Sequence, residues 1–145
     1  MTAAFDYFSI NGVRQAAIDA VLEDIKASDY RTHRALIEAF GRAGWETEKR
    51  LLGAYRTDAY KNGMAVEIES VDRSSVIDVL HRDLFRFLIL WRMSKIEAAS
   101  IVTRLEGGEV SLRKVQSDLE LYGLYYDVPL LVVGLGPQSR PEGAR

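Results

Sequence analysis

Val13, Ala16, Ala17, Ala20, Val21 and Ile25 recur at spacings of three and four, which predicts an amphipathic helix over residues 12–27. Ser28 and Asp29 break it. Leu36, Ile37 and Phe40 mark a second helix, with Thr32 placed to cap its first turn and Gly44 to stop it. Residues 45–60 follow no single period and read as extended only towards their end. Residues 64–70 form a short strand, and Val76, Leu80, Leu84, Phe87, Leu88 and Trp91 then share one helical face. "KIEAASIVT" (95–103) and "VPLLVVGL" (128–135) are apolar runs of the kind that forms buried strands. Between them lie a Gly107-Gly108 turn and a helix from a Ser111 cap to Tyr122. The order ααββαβαβ predicts an α/β fold, a mixed β-sheet with flanking helices. Crossover helices make its later strands parallel.

Asn62-Gly63 lies between two strand-like runs, and a type I′ turn needs positive φ at both central positions. Counting outward from a two-residue loop pairs Lys61 with Met64, Tyr60 with Ala65, Ala59 with Val66 and Asp58 with Glu67. Side chains alternate along a strand, so Glu69 joins Glu67 and Asp58 on one face. Thr57, Ala59, Val66 and Ile68 face the other way, towards a core. Like charges set opposite each other are destabilising. A hard divalent cation offsets them, since Mg²⁺ takes one or two carboxylates plus water and substrate phosphate. A solvated acidic face is the competing reading, and the residues alone leave both open.

Composition narrows the class. The 145 residues predict one domain over residues 1–135, with 136–145 a disordered tail. There is no cysteine, which removes disulfides and thiolate metal sites. The N-terminus lacks a signal-peptide pattern and no apolar run is long enough to span a membrane, so a cytoplasmic protein is expected. Net charge is −2, yet residues 49–104 hold ten Lys/Arg against seven Asp/Glu, three of the seven being Asp58, Glu67 and Glu69. Arg56, Lys61 and Arg104 flank the hairpin or end the neighbouring strand, which makes them candidate phosphate contacts. Arg82 and Asp83 read as a structural ion pair or hydrogen-bond network on their helix, with a part in shaping the site as the alternative. Ile89 and Leu90 lie off the main apolar stripe, where a second subunit would bury them.

"TDAYKNGMAVEIES", "HRDLFRF" and "AASIVTR", in that order, resemble the core of the BglII/BstYI-type restriction endonucleases of the PD-(D/E)xK nuclease superfamily. "PLLVVGLGP" resembles that family's late strand, and the similarity is best over residues 55–104. The resemblance implies a restriction-endonuclease-like core and a Mg²⁺-dependent DNA endonuclease, with Mn²⁺ able to substitute. Asp58 matches the family Asp, Glu67 the first Glu and Glu69 the variable third position. By that match Asp58 and Glu67 ligate the metal, and Glu69 orients or deprotonates the attacking water. The resemblance also implies double-stranded DNA as partner and a homodimer, because one site per subunit must cut both strands. The alternative is a catalytically inactive DNA-binding or assembly module on the same fold.

Overall fold

The computed structural model describes residues 5–28, 32–69, 76–104, 109–122 and 126–135, without the side chains of 5, 76–79, 104, 109–111 and 122. Its elements are β1 (Phe5–Ile10), α1 (Gln15–Lys26), α2 (His33–Arg42), β2 (Glu46–Leu52), β3 (Tyr55–Lys61), β4 (Met64–Glu69), α3 (Val76–Arg92), β5 (Ala98–Arg104), α4 (Glu109–Tyr122) and β6 (Leu130–Leu135). The Gly107-Gly108 turn and the 136–145 tail lie outside the described residues.

Local chemistry accounts for the helix ends. Thr32 Oγ1 accepts the Ala35 amide at 3.0 Å, satisfying one of the orphan donors of the first turn of α2. Gly44 follows that helix with φ of +93°, a conformation that costs glycine little. α4 starts at Glu109, so Ser111 lies inside the helix and is not its cap.

The six strands form one sheet in the order β1-β6-β5-β4-β3-β2. β4, β5 and β6 run parallel, while β1, β2 and β3 pair antiparallel with their neighbours, so the sheet is mixed as expected. Two strands were not legible in the hydrophobic pattern, and they are the two edges of the sheet. In β2 no residue is fully buried and the first five are exposed, so no apolar alternation marks it. β1 has its partner in β6, with Phe5 opposite Leu135, far outside any local window.

Each face of the sheet carries its own core. Ile18, Val21 and Ile25 of α1 and Leu36 and Phe40 of α2 pack on Ala59, Val66 and Ile68. Leu80, Leu84 and Phe87 of α3 and Val115 and Leu119 of α4 pack on Ala65, Ala99 and Ile101. Leu90 belongs to this second core at 3 % exposure, which corrects the expectation that a second subunit buries it. Ile89 is half-buried, and Phe85 is the large apolar side chain that α3 leaves in solvent, at 62 % exposure.

Candidate metal centre

The hairpin has the counted register. Lys61 faces Met64, Tyr60 faces Ala65 and Ala59 faces Val66 around Asn62 (φ +50°) and Gly63 (φ +82°). Registered pairing ends there, one step short of Asp58 and Glu67. Beyond it side chains replace backbone partners: Thr57 Oγ1 donates to the Val66 carbonyl at 2.9 Å, and Asp58 Oδ2 accepts the Ile68 amide at 2.7 Å. On the far side of β3, Glu48 has φ of +52°, between Thr47 and Lys49, whose partners Ala59 and Thr57 flank Asp58. The backbone is thus irregular on both sides of Asp58, and β2 shifts register against β3 once more between Arg50 and Leu52.

Alternation along β4 sends Met64, Val66 and Ile68 into the α1/α2 core and turns Ala65, Glu67 and Glu69 towards α3. There α3 adds a fourth acid, Asp83. Glu67 is 8 % exposed and Asp83 is fully buried. Carboxylate oxygens of Glu67, Glu69 and Asp83 all lie within 4.8 Å of one another. Asp58 adjoins Glu67 from β3, within hydrogen-bonding reach of it.

Burial chiefly, then the charges of Asp58, Asp83 and Glu69, pushes the Glu67 carboxyl up to about 10. Burial and the adjoining Glu69 push Asp83 up to about 9, against the opposing pull of Arg82 and Arg86. Among the described residues neither Asp83 oxygen meets a hydrogen-bond donor. Glu69 adjoins it, and in the metal-free protein the pair can be bridged only by a proton that one of them retains. Oxygen ligands at this spacing suit a hard divalent cation.

Asp58, Glu67 and Glu69 therefore share one end of the hairpin. Basic side chains approach them from the rim: His33 Nε2, at the start of α2, stands 3.5 Å from Asp58 Oδ2, and Arg82 Nη2 stands 3.9 Å from Glu69. Arg82 thus reaches Glu69, and the pair expected within α3 is replaced by a contact between α3 and β4. Arg56 is exposed on β3, opposite Arg50. Lys61 sits at the turn, where its Nζ donates to the Ala43 carbonyl at 3.1 Å and lies 5.9 Å from the Trp45 ring centroid. Arg104 ends β5, and its side chain is outside the described residues. Asp83 is the site residue that the hydrophobic pattern passed over. Its signal was present: it lies three residues after Leu80 and four before Phe87, inside the apolar stripe of α3.

No family model matches the chain, and no curated protein matches it. Among solved structures it is similar to the restriction endonuclease BglII complexed with a DNA 16-mer, with a TM-score of 0.71 at 14 % identity over 94 % of this chain and 78 % of that one. It is similar also to free BglII, with a TM-score of 0.58 at 17 % identity over 94 % of this chain and 81 % of that one. Likeness at such identities shows the fold. The mixed six-stranded sheet with helices on both faces is the restriction-endonuclease-like architecture expected of the chain.

Proposed function

We propose that this protein is a divalent-metal-dependent endonuclease that hydrolyses phosphodiester bonds in double-stranded DNA. The observation that carries the reading is the Glu67 carboxylate, buried at the open end of the hairpin with Asp58 and Glu69 beside it. Burial of unpaired acids is costly, and sites that retain them are candidates for chemistry. The BglII-like fold and that enzyme's structure with DNA support the nucleic-acid reading.

Asp58 and Glu67 hold Mg²⁺ or Mn²⁺ in this scheme. Bound there, the ion supplies Lewis-acid polarisation of the phosphate and a water of lowered pKa. Asp58 keeps its orientation through the Ile68 amide, which leaves its second oxygen for the ion. Glu69 ends β4, half-buried, and orients the attacking water or takes its proton. Arg56, exposed on β3, and Lys61 and Arg104 contact phosphates of the duplex. Two subunits act together, since each site cuts one strand.

Incubation of supercoiled plasmid with Mg²⁺ or Mn²⁺, with and without EDTA, tests the proposal. Nicked and linear products that EDTA suppresses and Asp58→Asn abolishes are expected. DNA binding without EDTA-sensitive cleavage of any duplex overturns it in favour of the inactive DNA-binding module.

A further inference from the structure

We infer that Glu67, Glu69 and Asp83 form a second, inner position for a hard divalent cation, which shares Glu67 with the Asp58 side and fastens α3 to β4. The inference rests on the reading of Asp58 and Glu67 as metal ligands and extends it to an acid on another element.

Three observations carry it. The first is distance. The three carboxylate oxygens lie within 4.8 Å of one another. A cation with metal–oxygen bonds of about 2.1–2.4 Å sets opposed ligands about 4.2–4.8 Å apart.

The second is Asp83 itself. It is fully buried, both of its oxygens lack a donor among the described residues, and it is aimed into this cluster. Buried polar atoms almost always have partners, and a buried carboxylate without one is among the most expensive groups a fold can hold. The apolar stripe on which Asp83 sits offers it none, as Leu80, Leu84 and Phe87 surround the position along α3.

The third is charge. Arg82 is more than half exposed and reaches Glu69 only at 3.9 Å. Arg86 draws on Asp83 from the next turn, with its guanidinium 5.9 Å from the Tyr55 ring centroid. His33 stands by Asp58. One ion shared by Asp58 and Glu67 leaves Glu69 facing Asp83 with no cation of the described residues between them. A second ion fills that gap. Asp58 lies outside the set of three that approach one another, and its Oδ2 is held by the Ile68 amide.

Titration with Mn²⁺, followed by the electron paramagnetic resonance of the free ion, tests this without any nuclease readout. The wild-type chain is expected to bind two ions. Asp58→Asn keeps the inner ion and loses the outer. Asp83→Asn, which preserves side-chain shape, keeps the outer ion and weakens the inner at least tenfold, and Glu69→Gln does the same. A wild-type stoichiometry of one, or an Asp83→Asn protein that binds as many ions as wild type with unchanged affinities, overturns the inference; Asp83 then shares a proton with Glu69. Two ions with the expected variant pattern but no DNA cleavage sustain it and defeat only the nuclease reading. No binding at all defeats both.

Discussion

Asp58 Oδ2 accepts the Ile68 backbone amide at 2.7 Å, so a carboxylate carried by β3 is fixed in place by β4, the strand that carries Glu67 and Glu69. The bond separates two roles of Asp58. Asn retains an acceptor for Ile68 but not the charge, whereas Ala removes both. Asp58→Asn is expected to reduce cleavage at least a hundredfold and leave the melting temperature nearly unchanged in EDTA. Asp58→Ala should lose cleavage equally and also destabilise by about 1–2 kcal/mol, because a partly buried amide loses its partner. Calorimetry beside the plasmid assay checks both, and equal melting temperatures for the two variants would argue against the bond.

Glu67→Gln fixes a neutral side chain at the centre of the acidic cluster. In EDTA at neutral pH it is expected to melt above wild type, by about 1 kcal/mol or more, since the wild-type carboxyl must take up a proton to fold into this buried acidic site. Mg²⁺ should stabilise the wild type, by an amount rising with the logarithm of its concentration above Kd, and the variant hardly at all. A wild-type melting temperature indifferent to Mg²⁺ would contradict it.

The raised Glu67 and Asp83 carboxyls make metal-free stability depend on pH. In the unfolded chain they release protons near their ordinary values of 4.5 and 3.8, whereas the folded chain retains them to about 10 and 9. Across that window the folded state binds more protons, so stability falls as pH rises, by at most about 1.4 kcal/mol per pH unit for each group. Denaturant titrations in EDTA between pH 5 and pH 8 (about the usable range) should show the decline, and Asp83→Asn should make it shallower. Stability that climbs over this range would run against both shifts.

Gly63 has φ of +82°, and a Cβ there would collide with the Glu97 carboxylate. Gly63→Ala should therefore cost about 1–2 kcal/mol and lower the melting temperature by several degrees. The hairpin holds Asp58 and Glu67 together, so metal affinity should fall with it. An unchanged melting temperature would mean that the turn relaxes into another type.

The two described basic candidates differ in how far they are committed to the fold. Arg56 is exposed on β3, and Arg56→Gln should reduce the slope of log affinity for DNA against log salt by about one. Lys61 already binds the Ala43 carbonyl after α2, so Lys61→Gln should in addition cost about 0.5–1 kcal/mol of stability. Fluorescence anisotropy over a salt series, with melting curves, separates the two effects.

The sequence by itself determined the parts of this protein that local chemistry controls. α1, α2 and α3 follow from their apolar period, and the parallel run of β4, β5 and β6 follows from the helices between them. The turn at Asn62-Gly63 set the register, and alternation along β4 put Glu67 and Glu69 on one face, because each depends only on residues a few positions apart. Tertiary structure decided what depends on distant partners. β1 and β2 are edges with weak patterns of their own, made into strands by β6 and β3. Leu90 proved to be core because the far end of α3, like Leu84 and Phe87, packs into the same cluster as Ala99 and Ile101 of β5. Asp83 joined Glu67 and Glu69 for the same reason: a charge within an apolar stripe acquires its meaning from what the helix is laid against, and here that is the acidic end of β4.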